Sequence, residues 1–298
     1  MLVRFGDVEL GTVDGRVGDV GVSDIDFSYP EMRSHDVDRE ARDGVMPGRD
    51  YFGVRTMSME CWTNGRNMVE AREIASAVLS KWRSASLRLQ AGVLAPLDFQ
   101  AVDDATVRRV YGRPRRADDP NFGVIMRHGR GMFTLEFDVM DPTFYAGGDE
   151  GLESATISVV EGGSGTGWIF PITWPVRTEA VAERREGALQ ITGEEPTAAV
   201  ISFHGPGSRF SLDGNRGWHV GLAPSVTLAH DEVLTIDPLA GTATDNFGRD
   251  RYGALDRRSR LTGIMLRPGV ENVFFSAIDQ SNTAHATVAW RPAYSTAA

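Results

Sequence analysis

The run Phe133–Tyr145, FTLEFDVMDPTFY, alternates large apolar and polar side chains for the length of a strand and then meets Asp141-Pro142. A side-chain period of two belongs to a strand buried on one face, so the surrounding chain has to supply a sheet and a core for that face. Proline brings no N–H to a ladder, and the strand is expected to stop at it. That stop divides the chain, with residues 1–146 reading as one unit and 147–298 as another. The length of 298 residues agrees, because one core rarely serves so long a chain.

In the first unit, Met1–Phe5 and Val20–Tyr29 are short alternating runs. The span from Ser34 to Asp50 is polar and charged, and Gly44, Pro47 and Gly48 break any periodicity, which predicts a long loop. Loops of that length in a compact domain usually carry function. Gly53–Trp62 (GVRTMSMECW) sets Val54, Thr56, Ser58 and Glu60 against Arg55, Met57, Met59 and Cys61, a strand with one apolar face. From Asn67 the period changes: Ala71, Ile74, Ala75, Val78, Leu79 and Trp82 recur at helical spacing, and Asn67 with Glu70 has the form of a capping box. The result is one helix of about 24 Å at the usual rise per residue. Its single apolar face has to lie against a sheet. Pro96–Ala101, Val107–Tyr111, Phe122–Met126 and Phe133–Met140 supply further strands, so this unit is a small α+β barrel or sheet with one packed helix.

After Gly147 no comparable helix appears. Short alternating runs punctuated by Gly, Pro, Asn or Asp extend from Ala155–Val160 and Trp168–Pro171, through Ala199–His204, Val233–Asp237 and Leu261–Leu266, to Ala284–Trp290. Strands at that spacing predict a β-sandwich. The fold class is therefore mainly β.

No group of residues nominates an active site. Cys61, the single cysteine, excludes an intrachain disulfide and a cysteine zinc site, and beside Trp62 in a strand it reads as a small buried thiol. The six histidines stand singly, and His230-Asp231-Glu232 lacks the second histidine of a zincin helix. Acidic pairs at Asp24/Asp26, Asp103/Asp104, Asp118/Asp119 and Glu194/Glu195 miss the spacing of a calcium loop and read as solvated charges. Gly162–Gly167 lacks the lysine of a phosphate loop and reads as a hairpin or linker. The expectation is a protein without catalytic residues, cofactor or bound metal. No apolar run approaches the ~20 residues of a membrane span, and Met1–Leu10 does not have the pattern of a signal peptide.

Charge is more informative. A formal net charge of −10 argues against tight binding of nucleic acid. Against that background VRRVYGRPRR (Val107–Arg116) concentrates Arg108, Arg109, Arg113, Arg115 and Arg116. Strand alternation puts Arg109 with Tyr111 on one face and Arg108 with Val110 on the other. These arginines have two readings: they pair with the acidic loops at 36–43 or 118–119 of a neighbouring subunit, or they are a solvated strand edge that deters aggregation. Of the 31 basic residues only Lys81 is lysine, a bias that suits subunit contacts and that a GC-rich genome also produces. Trp168, Trp174 and Trp218 are candidates for an exposed sugar-binding platform, with core packing as the plainer reading of each.

The order of these parts resembles a known family. A charged loop ending in PGRDYFGVRTMSMECW, the helix NMVEAREIASAVLSKWR, then RVYGRPRR, then FTLEFDVMDPTFY and a β-rich remainder ending VAWRPAY are similar to the distal tail (Dit) proteins of long-tailed phages, and most to the minor tail proteins of actinobacterial siphophages. The resemblance implies a belt-type split β-barrel at 1–146 and a galectin-like β-sandwich at 147–298. It implies a hexameric ring joining the tail tube protein to the tail-tip hub protein, with the tape measure protein as a further neighbour. It also implies genomic DNA passing through the lumen without specific binding, a place at the distal end of the virion tail, and synthesis in the host cytoplasm. The alternative is a carbohydrate-binding module of the tail tip that attaches to the host surface.

Overall fold

The structure is a computed structural model that describes residues 1–11, 19–101, 106–120, 127–158, 185–279 and 283–297. The chain forms two compact units, Met1–Gly151 together with Tyr294–Ala298, and Leu152–Ala293. The division read from the sequence places the boundary slightly earlier and leaves the last residues in the second unit. Phe122–Met126, Trp168–Pro171 and Gly162–Gly167 lie outside the described residues.

The first unit is built on one antiparallel sheet. Its strands are β1 (Leu2–Phe5), β2 (Val8–Leu10), β3 (Val20–Phe27), β8 (Arg55–Thr63), β9 (Ala95–Gln100), β10 (Val107–Ala117) and β11 (Met132–Ala146), in the order β2-β1-β9-β10-β11-β8-β3. The Gly11 N–H donates to Val20 O at 2.6 Å and links the two ends of that order, so the sheet is nearly closed, like a barrel. Between β3 and β8 the chain leaves the sheet through four short strands, β4 (Met32–Arg33), β5 (Val37–Asp38), β6 (Val45–Met46) and β7 (Tyr51–Phe52), which pair as β4 with β7 and β5 with β6.

Alternation on β8 and β11 buries Met57, Met59 and Cys61 with Phe133, Leu135, Phe137 and Val139. The helix α1 (Met68–Trp82) covers this face with Ala75, Val78, Leu79 and Trp82. Trp82 packs at 4.9 Å from the Phe5 ring and 5.9 Å from Phe137. Asn67 caps α1 as expected, its side-chain oxygen accepting from the N–H groups of Val69 and Glu70, while Glu70 reaches back to the N–H of Arg66 rather than to the cap residue itself. A single further turn, α2 (Ala85–Leu89), follows.

One expectation fails here. β11 does not stop at Asp141-Pro142 but runs on to Ala146. Its register against β10 passes from Arg109↔Tyr145 to Tyr111↔Asp141, so residues 142–144 bulge out of the ladder where no N–H is needed from Pro142. Asp141 holds the bulge, accepting from Thr143 N–H at 3.1 Å and from the Tyr145 hydroxyl at 2.5 Å. Burial, together with that carboxylate, pushes the Tyr145 phenol well above its ordinary range.

The second unit is a two-sheet antiparallel sandwich, as the spacing of its strands predicts. One sheet orders β12 (Glu153–Ser158), β22 (His285–Trp290), β14 (Thr197–His204), β18 (Val233–Asp237) and β19 (Thr242–Asp245), with β20 (Met265–Leu266) added beside β14. The other orders β13 (Arg185–Ile191), β21 (Gly269–Ile278), β15 (Gly207–Gly214) and β16 (His219–Gly221), with β17 (Thr227–Leu228) beside β15. Ile201, Phe203, Leu234, Ile236, Phe275 and Val288 are among the side chains that fill the space between them. The run Leu261–Leu266 is only partly a strand. Leu261–Gly263 forms a 3-10 turn, which buries Leu261 and Ile264 three residues apart before β20 starts. The last strand, β23 (Ala293–Tyr294), pairs with β11. No helix among the described residues is long and apolar enough to cross a membrane.

Candidate functional site

Strand alternation assigns faces to two of the β10 arginines, and they lie there, Arg108 with Val110 inward and Arg109 with Tyr111 half-buried opposite them, while Arg115 and Arg116 are both exposed. The sheet occupies most of their donors. Arg109 makes a two-pronged pair with Asp98 on the adjacent β9, Nε to Oδ1 at 2.6 Å and Nη2 to Oδ2 at 2.8 Å. Both side chains are shielded from solvent, and the Asp98 carboxylate raises the Arg109 guanidinium above its ordinary value. Arg108 is 9% exposed, with its guanidinium 3.9 Å above the Tyr294 ring. Arg115 pairs with Asp138 on β11 at 2.8 Å, and Arg116 pairs with Asp118 at 2.8 Å and stands 3.6 Å from Glu136. Arg113 binds no carboxylate among the described residues: its Nε donates to Val93 O at 2.9 Å and its Nη2 to Gln90 O. β9 pairs with β10 only as far as Gly112, and this open side of the strand is where Arg113 turns. At Gly112 itself a Cβ would stand 2.0 Å from Asp138 O, so the close approach of β10 to β11 requires glycine.

Of the acidic residues expected to serve a neighbour, Asp118 and Asp119 are therefore used within the chain, Asp119 by Arg83 at 3.1 Å. The other acidic stretch, 36–43, lies on the projecting segment 31–52. Every residue of that segment is exposed. It carries Met32, Val37, Val45, Met46, Tyr51 and Phe52, each about half exposed or more, with Tyr29 at its root. Internal contacts hold its form: Gly48 N–H to Asp36 at 2.8 Å, Tyr29 edge-on to Phe52 at 6.3 Å, and His35 edge-on to Tyr51 at 5.7 Å. Apolar side chains on this arm have no core to enter and form an exposed surface of the kind that interaction sites present. Sequence reading treats this arm as a loop. The signal in the sequence is the recurrence of paired apolar residues, Val45-Met46 and Tyr51-Phe52, inside a charged tract.

The second unit offers less. Trp218 is 7% exposed, and its indole N–H donates at 3.2 Å to the buried Glu271, whose other oxygen lies 3.1 Å from Arg216 Nε. The indole is thus a core group and not a platform at the surface. Trp168 and Trp174 lie outside the described residues. His219 is clamped between Asp213 at 2.7 Å and Asp256 at 2.9 Å. Burial opposes ionisation of Asp256, but hydrogen bonds from Ser259 and His219 outweigh it and hold the carboxyl below the usual range. Among the described residues no three metal-ligating side chains come together. The Cys61 thiol in the first unit is pushed up to about 12 by burial, which fits an inert core group.

No family model and no curated protein matches the chain. Solved structures do. The chain is similar to the SPP1 Dit (gp 19.1) protein, described as a paradigm of the hub adsorption apparatus in phages infecting Gram-positive hosts, with a TM-score of 0.56 at 14% identity over 97% of this chain and 98% of that one. It is also similar to a chain of the phage p2 baseplate in its activated, strontium-bound conformation, with a TM-score of 0.50 at 11% identity over 91% and 90% of the two chains. At such identities the likeness is one of fold, and it spans both units.

Proposed function

We propose that this chain is a structural component of a phage tail tip, a distal tail protein of a siphophage whose first unit assembles with further copies into a hexameric ring between the tail tube protein and the tail-tip hub protein. The observation that carries the reading is the correspondence of fold with SPP1 Dit from one end of the chain to the other. The exposed apolar arm at 31–52 supports it, since a closed ring gives each copy a neighbour to cover such a surface. Arg108 and Arg109 are spent inside the unit. Arg115 and Arg116 pair with carboxylates of their own chain but keep 48% and 63% exposure, and are the β10 arginines that a neighbour can reach. The tape measure protein is a further neighbour in this arrangement, and genomic DNA passes through an acidic lumen, where a chain of net charge −10 does not trap the phosphate backbone. The reading has no catalytic step. Burial of Trp218 removes the one described candidate for a glycan platform, so a carbohydrate-binding role has no observation in its favour.

The test is the mass of the purified protein in solution, alone and mixed with its tail neighbours, with electron microscopy of any assembly. A six-fold ring is the expected result. A strict monomer in both conditions overturns the proposal.

A further inference from the structure

Beside the β10 arginines, on the side where β9 has ended, the first unit holds a cavity of about 350 Å³ lined by Trp82, Arg83, Leu87, Arg88, Arg113 and Arg115, with Ser84 and Pro114 completing it. Four arginines lining one cavity are unexpected in a chain of net charge −10. Two are balanced by carboxylates, Arg83 by Asp119 and Arg115 by Asp138. Among the described residues neither Arg88 nor Arg113 has a carboxylate within ion-pair distance, which leaves the cavity with an excess of positive charge. Arg113 is held by two backbone carbonyls and Arg83 by Ala117 O, so these side chains are ordered before any ligand arrives. Trp82, 3% exposed, gives the cavity an apolar wall.

We infer that this cavity binds a carboxylate of an acidic peptide segment belonging to another protein. Guanidinium groups held in place match the planar carboxylate. The apolar wall of Trp82, Leu87 and Pro114 suits an aliphatic side chain next to the acid, a contact that an inorganic anion leaves unused. A nucleic acid is disfavoured because its dense negative charge meets the net negative field of the chain, whereas a short acidic segment carries only the charges the cavity neutralises. No residue of the exposed arm lines the cavity, so variants of the arm and of Arg88 test separate surfaces.

The experiment titrates the full chain with a short capped peptide of glutamates around one leucine, read by calorimetry. Arg88 is exposed on α2 and makes no contact that the fold needs, so Arg88→Glu and the milder Arg88→Gln keep the protein folded, as melting curves of both will verify. The expected result is saturable binding that weakens with salt, falls about tenfold or more in Arg88→Glu and less in Arg88→Gln, and is unchanged in Arg258→Glu, an exposed position of the second unit. Equal binding by wild type and Arg88→Glu overturns the inference. So does inorganic phosphate or a DNA oligonucleotide binding as tightly as the peptide.

Discussion

Phe137 lies at the centre of the first unit, fully buried with the rings of Phe5 and Trp82 around it. Phe137→Ala is expected to cost about 3–5 kcal/mol in denaturant unfolding, the sum of lost burial and an unfilled cavity. His204 and His285 face each other across β14 and β22 with ring centroids 4.1 Å apart and nearly parallel planes. Burial first, and then the neighbouring imidazole, hold His204 below its ordinary value. The groups beside the pair, Thr287, Val233 and Ser158, do not titrate near neutrality. A histidine lowered in the folded state takes up its proton more readily when unfolded. Its contribution to stability is therefore complete above the unfolded value of about 6.5 and is lost as pH falls through the lower folded value. Denaturant unfolding followed from neutral pH to about pH 5 should show the second unit weakening, and His204→Gln should flatten that slope. An unchanged slope in the variant would assign the dependence to other groups.

At the scale of elements, α1 owes its start to one side chain. Asn67→Ala removes the acceptor for two N–H groups and is expected to destabilise the first unit by about 1 kcal/mol. Gly112→Ala should cost more, because the added carbon meets the Asp138 carbonyl and either β10 or β11 has to move. Both effects are read as shifts in the unfolding midpoint. The arm at 31–52 predicts the opposite pattern. Replacing Met46, Tyr51 and Phe52 together by serine removes side chains without a place in the core, so monomer stability should hold while assembly is lost. Unfolding of the monomer by that triple variant would show the arm to be structural instead.

At the scale of the molecule, the proposed ring would link folding to concentration. A partner that binds only the folded unit raises its apparent midpoint by mass action, so the melting temperature of the first unit should climb with protein concentration, and that of the arm variant should not. Much of the molecule follows from local periodicity. The alternation of Met57, Met59 and Cys61 and of Leu135, Phe137 and Val139 specifies which face of each strand is buried, the helical spacing from Ala71 to Trp82 specifies α1, and the repeated short runs after Gly147 specify a sandwich. What is not local in the chain was not legible there. Pro142 reads as a stop because proline lacks an N–H, yet β11 bulges there away from β10, and none is wanted. The β10 arginines read as a charge cluster free to meet a neighbour, and only the pairing with β9 and β11 brings Asp98 opposite Arg109 and Asp138 within reach of Arg115. Trp218 could face either way until two sheets closed over it. The sequence by itself determined the type and buried face of the main elements, because hydrophobic period acts within a few residues. Only the tertiary structure decided which charges are spent and which surfaces are left for partners, because pairing and exposure depend on segments far apart in the chain.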